Sequence, residues 1–234
     1  MTNEGNDGVP RGRQKQGFLL SFEGIEGCGK STQLRRLAKQ LRSRGYLVVE
    51  TREPGGSQIS EQIRKVLLDL GNSGMDIHCE LLLYLASRAQ HVAETILPAL
   101  DKGAIILCDR FSDATMAYQG YGRGVGASPV ARLNQFASAG TMPDLTIVLD
   151  VPVAIGLARK RRAGHLDRLD MEREAFHQTV RNGYLRIAKR DSRRVRVLDG
   201  TPPIEEVSAA INRLVDVRVS ARKAKLTKVE SHAV

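Results

Sequence analysis

The sequence of 234 residues contains no tryptophan, only three cysteines and 4% aromatic residues. None of its apolar runs approaches membrane-spanning length, so an integral membrane protein is excluded. The three cysteines have no metal-ligand spacing, and their odd number argues against a disulfide framework, so a reduced, cytoplasmic compartment is expected. The scarcity of aromatic residues and the lack of a base-stacking pattern argue against nucleic-acid binding.

The net charge of +10 is concentrated in two short segments. Residues 159–168 and residues 218–234 each carry five basic residues against one acidic residue. The second segment is interpreted as a solvated, disordered basic tail. Residues 1–16 are polar and lack the apolar stretch of a secretory signal, so they are interpreted as a disordered leader. A single domain is therefore predicted over residues 17–217.

Residues 24–31 fit the phosphate-binding pattern G-x-x-x-x-G-K-[ST] at every position. An apolar strand is predicted before the pattern, over residues 18–22, and a helix after it, over residues 32–41. Lys30 is expected to be an exposed loop lysine that reaches the β- and γ-phosphates, with the Ser31 hydroxyl on Mg²⁺. The predicted ATP contacts in this segment are Gly24, Ile25, Glu26, Gly27, Cys28, Gly29, Lys30, Ser31 and Thr32.

Four further apolar or β-branched runs predict strands over residues 47–51, 104–108, 145–149 and 195–198. Helices are predicted over residues 57–70, 77–100 (as one or two helices) and 203–217. Five strands alternating with helices indicate an α/β fold with a doubly wound, five-stranded parallel sheet of the P-loop NTPase type.

Charged residues recur where these strands end, and ligands collect at that edge of such a sheet. Asp109 follows an apolar strand and is the candidate second Mg²⁺ residue. Arg52, Arg88 and Arg110 together predict a site for a second anionic ligand. The basic segment at about residues 159–170, with a hinge at Gly164, is interpreted as an exposed, mobile lid.

A nucleoside triphosphate site alone does not define the activity. The guanine-recognition pattern N-K-x-D of GTP-binding switches is absent from the sequence. Two predicted phosphate-binding regions and a basic lid favour a phosphoryl-transfer enzyme with a small phosphorylated acceptor. The alternatives are a kinase of the same fold that acts on another nucleoside or monophosphate, and a non-catalytic P-loop protein that only binds nucleotide.

Four further segments occur together with the phosphate loop, in order and at plausible spacing: Thr-Arg-Glu-Pro-Gly-Gly at residues 51–56, Asp-Arg-Phe at 109–111, Ala-Tyr-Gln-Gly at 117–120 and Leu-Asp-Arg at 166–168. With this set the sequence, over about residues 17–215, resembles the bacterial thymidylate kinases, a family of P-loop nucleoside monophosphate kinases. The resemblance implies transfer of the ATP γ-phosphate to dTMP, giving dTDP and ADP, with Mg²⁺ as cofactor. It also implies a homodimer.

The resemblance further implies a role for each matching residue. Arg110 is expected to hold the dTMP phosphate with help from Arg52, and Glu26 to lie near the acceptor 3′-OH and the metal. On the base, Tyr84 is expected to stack on thymine and Arg88 to hydrogen-bond it. The remaining expected contacts are Thr115 and Tyr118 along the nucleoside and Arg159 over adenine.

The catalytic arginine is expected in the lid. Ile25, Glu26 and Cys28 exclude the family variant that carries this arginine in the phosphate loop. Bacterial relatives commonly have arginine just before the lid glycine, where this sequence has Ala163. Either Arg161 or Arg162 is therefore expected to serve, and the sequence does not decide between them.

Overall fold

A computed structural model describes residues 17–164 and 166–230, with side chains as far as residue 220. The predicted leader, residues 1–16, lies outside the described residues, as do the last four residues of the predicted tail.

Five strands form one parallel sheet in the order β2-β3-β1-β4-β5. Each strand agrees with its predicted range to within one residue at either end, so the predicted sheet is confirmed. The strands are β1 (Phe18–Glu23), β2 (Val48–Arg52), β3 (Ile105–Asp109), β4 (Leu145–Asp150) and β5 (Val195–Asp199).

Nine helices cover the two faces of the sheet in the described part of the chain. Two π-helical segments adjoin them, Val92–Ile96 between α3 and α4 and Met116–Gly122 after α5. The helices are α1 (Lys30–Ser43), α2 (Gln58–Leu68), α3 (Ile77–His91), α4 (Leu97–Asp101), α5 (Ser112–Thr115), α6 (Ala127–Ala137), α7 (Val153–Arg162), α8 (Glu174–Arg190) and α9 (Ile204–Glu230).

The side chains of β1 alternate between two hydrophobic clusters. Leu20 and Phe22 pack with residues of α1, α8 and α9, whereas Leu19 packs on the opposite face with Ile96 and Leu100. Because helices cover both faces, every residue of β1 is buried, including the polar Ser21 and Glu23, and the rest of the strand is apolar.

The predicted disordered tail is wrong for most of its length, because α9 continues to Glu230. Residues 218–230 contain neither glycine nor proline and are rich in Ala, Lys, Arg and Val. Nothing in this composition ends a helix, so the backbone hydrogen bonds continue beyond the predicted end at residue 217. No helix among the described residues is long and apolar enough to cross a bilayer.

Candidate active site

The phosphate loop connects β1 to α1 at the carboxyl edge of the sheet. Gly24 and Gly27 have φ values of 130° and 68°, a region that L-residues with side chains rarely adopt. A Cβ on Gly27 would lie 2.0 Å from the carbonyl oxygen of Gly156 in α7. The tight packing of the loop against α7 therefore requires glycine at this position.

The start of α1 has the properties of an anion site. Gly29 precedes the helix in a left-handed conformation, with open space where a Cβ would stand. No acidic residue lies in the first turn, and Gly29 has no side chain to cap it. The first amide N–H groups of α1, at the positive end of the helix dipole, are therefore available to phosphate oxygens.

Lys30 is buried, which makes its predicted exposure wrong. It is the first residue of α1, and side chains of a helix lean towards its N-terminus, which here is the loop. Its Nζ donates hydrogen bonds to the carbonyl oxygens of Gly24 at 3.2 Å and Ile25 at 2.9 Å. The ammonium group thus lies at the centre of the loop, where it can neutralise bound phosphate.

Ser31 and Asp109 come together at the same edge. The Ser31 hydroxyl is exposed and donates a hydrogen bond to Oδ2 of Asp109, which ends β3. A hydroxyl and a carboxylate are hard oxygen donors, and Mg²⁺ in nucleotide sites uses one or two of them together with waters and phosphates. This pair therefore fits the expected metal.

A cavity of about 320 Å³ opens beside the loop. Eleven of the predicted site residues line it: Glu26, Gly27, Lys30, Ser31, Arg52, Tyr84, Arg88, Asp109, Arg110, Thr115 and Tyr118. Gly24, Ile25, Cys28, Gly29 and Thr32 belong to the loop and the start of α1 but do not line the cavity. Arg159, Arg161 and Arg162 lie on α7, outside the cavity lining.

Arg110 lies at the centre of the polar wall. It has a φ of 72°, unusual for a residue with a side chain, and such strain is found mostly at functional sites. Its guanidinium donates to Oε1 of Glu26 at 2.8 Å and to the Gly24 carbonyl at 3.0 Å. Tyr118 donates to the same Glu26 oxygen at 2.7 Å, and the Arg110 guanidinium stacks over its ring.

Two buried glutamates, three residues apart, have pKa values shifted in opposite directions. Burial, reinforced by the charge of Asp113, raises the pKa of Glu23 to about 7. Burial alone would raise the pKa of Glu26 too, but the Arg110 and Lys30 cations and the hydrogen bond from Tyr118 hold it well below its usual range. Glu26 is thus ionised beside the phosphate loop.

Replacing Glu23 by glutamine is expected to change how stability depends on pH. Glu23 Oε1 accepts hydrogen bonds from the Ser21 hydroxyl and the Phe111 N–H, and Oε2 accepts one from Tyr184. Because the native pKa is above the unfolded value of 4.5, the parent loses stability as pH rises from 4.5 through 7. Glutamine resembles the protonated carboxyl, so the variant should escape this loss of roughly 3 kcal/mol.

Urea unfolding of the parent and Glu23→Gln between pH 4.5 and 8 measures this difference. Parallel curves of unfolding free energy against pH would contradict the raised pKa.

Arg88 is 1% exposed and nearly all of its donors are engaged. Its Nε and Nη2 lie 2.7 Å from Oε2 of Glu53, and Nη1 donates to Thr115 at 2.9 Å and to the Oδ1 of Asn134. The face of Phe111 lies 5.2 Å from the guanidinium carbon. A guanidinium held at four points keeps one orientation where it lines the cavity.

Arg52 and Tyr84 lie on other walls of the cavity. Arg52 forms an ion pair with Glu61 at 3.0 Å, and more than half of its side chain is exposed. Tyr84, on α3, is half-buried. Arg52 is therefore free to change partners at small cost, since exposed ion pairs stabilise a protein by less than about 1 kcal/mol.

The basic segment is exposed only in part, so its predicted exposure is wrong for Arg168. Arg168 is buried, where it donates to the Leu67 carbonyl at 3.0 Å and pairs with Glu80 at 2.6 Å. Lys160 pairs with Asp170 at 3.1 Å, and Arg159 donates to the Gly200 carbonyl. Arg161 and Arg162 are exposed, as predicted, and neither has an ion pair with a described residue. They remain the two candidates for the catalytic arginine.

Sequence reasoning assigned no role to several residues at the site. Glu53 and Asp167 line the cavity. Neither was given a role, although both belong to segments that carry the family resemblance. Glu53 directly follows Arg52 and Asp167 directly precedes Arg168, and this adjacency in the sequence could have indicated a role at the site. Asn134 is on α6, far along the chain from Arg88, and no sequence pattern joins the two.

Comparisons with known proteins agree with this geometry. The thymidylate kinase family profile matches residues 22–211. The chain is 49% identical to the thymidylate kinase of Geobacter sulfurreducens over 88% of this chain and 100% of that protein. It is 50% identical to the Pelobacter propionicus thymidylate kinase, over 83% of this chain and 92% of that protein.

The fold also agrees with a solved structure. The crystal structure of thymidylate kinase from Ehrlichia chaffeensis superposes with a TM-score of 0.70 at 34% identity, covering 86% of this chain and 98% of the other. The family profile, the full-length relatives and the shared fold all lead to one conclusion: the chain belongs to the thymidylate kinase family.

Proposed function

We propose that the phosphate loop and the cavity each bind one of the two substrates of a dTMP kinase. As a thymidylate kinase, the protein transfers the γ-phosphate of ATP to dTMP, giving dTDP and ADP. The phosphate loop holds the ATP phosphates, and the cavity holds dTMP. The observation that carries this assignment is that Glu26, Lys30 and Arg110 line one cavity, so the donor and acceptor phosphates meet there.

On the acceptor side, Arg110 holds the dTMP phosphate. Arg52 exchanges its ion pair with Glu61 for a contact with the same phosphate. Tyr84 stacks on thymine, and the Arg88 donor that faces the cavity hydrogen-bonds it. Thr115 and Tyr118 line the nucleoside. The ionised Glu26 lies near the 3′-OH and keeps the Arg110 guanidinium aligned, because it fixes one edge of that group at 2.8 Å.

On the donor side, Lys30 and the amide groups at the start of α1 bind the β- and γ-phosphates, and Arg159 packs over adenine. Ser31 and Asp109 would hold Mg²⁺, which supplies charge neutralisation between the phosphates when bound. Turnover that persists with ATP after complete removal of divalent cations would contradict this assignment.

The acceptor needs no general base, because a dTMP phosphate oxygen is already anionic near neutral pH. Catalysis then consists of positioning the phosphates and neutralising their charge. An arginine of the lid, Arg161 or Arg162, supplies positive charge to the transferring phosphoryl group. Closure of the lid keeps out water, which would otherwise accept the phosphoryl group.

We also propose a homodimer. Leu82 on α3 and Leu133 and Phe136 on α6 are exposed, and these two helices pack against each other. At 87% exposure, Phe136 presents an apolar ring to solvent. A surface of this kind suits an interface between two copies. Sedimentation as a monomer at micromolar concentration would contradict it.

A cytoplasmic location, with all three thiols free, stays a prediction.

Replacing Arg88 by lysine is expected to relax selection of the base. Lysine keeps a positive charge beside Glu53 but lacks the planar fork that contacts Thr115, Asn134 and thymine together. Loss of one base contact costs about 1–3 kcal/mol. The ratio of kcat/KM for dTMP over dCMP should therefore fall by about 10-fold or more, with KM for ATP unchanged.

Arg35→Lys is the matched control, since Arg35 is an exposed residue of α1. If Arg88→Lys and the control gave the parent's ratio, Arg88 would not be the residue that recognises the base.

A further inference from the structure

His91 is a completely buried histidine beside the cavity but outside its lining. It is the last residue of α3, three residues after Arg88. Its Nδ1 lies 3.0 Å from Oε1 of Glu53, and its Nε2 lies 2.7 Å from the hydroxyl of Thr51. A Cβ on Gly56 would lie 2.4 Å from the ring, so the loop after β2 is packed directly on this histidine.

The partners fix the tautomer of the ring. An ionised carboxylate can only accept hydrogen bonds, so Nδ1 carries the proton and donates to Glu53. In the neutral ring, Nε2 is then the acceptor for the Thr51 hydroxyl. His91 therefore contacts each partner through a different nitrogen.

Glu53 connects His91 to Arg88. One oxygen of its carboxylate accepts from His91, and the other lies 2.7 Å from both Nε and Nη2 of Arg88. All three side chains are at most 4% exposed. Water is thus kept from competing with these contacts, and the direction of the carboxylate depends on its two protein partners.

We propose that His91 is a positioning residue for recognition of the nucleobase. Its Nδ1 proton holds the Glu53 carboxylate in the rotamer that aligns the guanidinium of Arg88 with the cavity. Without that donor, the Glu53 carboxylate rotates out of this position. The remaining N–H donor of Arg88 then no longer points in one fixed direction. This inference rests on the proposed recognition of thymine by Arg88.

Three replacements of His91 separate positioning from packing. Asparagine places an N–H donor close to the position of Nδ1, whereas glutamine places its amide close to the position of Nε2. Phenylalanine fills the space of the ring without any donor. Asparagine should therefore keep the contact with Glu53, and the other two should lose it.

The measured quantity is the ratio of kcat/KM for dTMP over dCMP, with KM for ATP as the internal reference. We expect His91→Asn to stay within about 3-fold of the parent ratio and His91→Gln and His91→Phe to lower it about 10-fold. Thermal unfolding of each variant reports packing separately. Thr51→Val, which removes only the partner of Nε2, should keep the parent ratio.

A purely packing role gives the opposite order, because asparagine leaves the largest void and phenylalanine the smallest. Retention of the parent ratio by His91→Phe, or its loss in His91→Asn, would overturn the inference. Arg88→Lys is measured beside them. If it leaves the ratio unchanged, the assignment of Arg88 fails; if it lowers the ratio and His91→Gln does not, only the role of His91 fails.

Discussion

Lys30→Met is expected to lower kcat by about 10²–10³-fold while the protein stays folded. The ammonium group lies inside the phosphate loop, where it is aimed at charge that develops on the transferring phosphoryl group, and donors of this kind have effects of that size. Methionine keeps most of the buried stem, which alanine would replace by a void among the loop carbonyls. Steady-state ADP release at saturating ATP and dTMP measures the loss.

The control is Lys39→Met, which changes an exposed lysine of the same helix. It should turn over at the parent rate. Thermal unfolding of both variants shows whether the loop remains intact. Near-parent turnover by folded Lys30→Met would contradict the assignment of the loop to the ATP phosphates.

The double variant Arg161→Ala/Arg162→Ala is expected to lose about 10²-fold or more in kcat, with little change in either KM. An arginine that contacts only the transferring phosphoryl group stabilises the transition state and not the bound substrates. Both side chains are exposed at the end of α7, so their removal leaves no cavity in the core. Assays at saturating ATP and dTMP isolate kcat.

The two single variants decide which arginine acts. If one can replace the other, each single loss is small and the double variant falls much further than either. Arg35→Ala on α1 is the control for removing an exposed arginine. A double variant with the parent kcat would show that the basic segment is only a solvated, charged surface.

The sheet could be predicted closely because its signals are local. A strand buried on both faces favours an apolar run, and residues 105–108 and, apart from Thr146, residues 145–149 show one directly. Helices α6, α7 and α8 were given no boundaries, because small and charged residues interrupt their apolar residues. The end of α9 was misplaced because a run of positive charge was interpreted as a solvated tail.

The site was predicted best where a motif fixes both residue and geometry. The phosphate-loop pattern places Lys30 and Ser31, whereas Asp109 ends and Arg110 follows a strand that lies beside β1. The partners of Arg88 could not be predicted. Glu53 and Asn134 are 35 and 46 residues from it along the chain, and only the packing of α3 against α6 and the loop after β2 joins them. The burial of Lys30 likewise depends on the fold of the loop.

The choice of monophosphate shows whether the cavity is a dTMP site. The purified protein is given Mg-ATP and, separately, dTMP, dUMP, CMP or AMP, and release of ADP is followed. The account predicts rapid release with dTMP and a much lower kcat/KM with CMP and AMP. Preference for another monophosphate would indicate a different kinase of the same fold. Nucleotide binding without turnover on any monophosphate would contradict the account altogether.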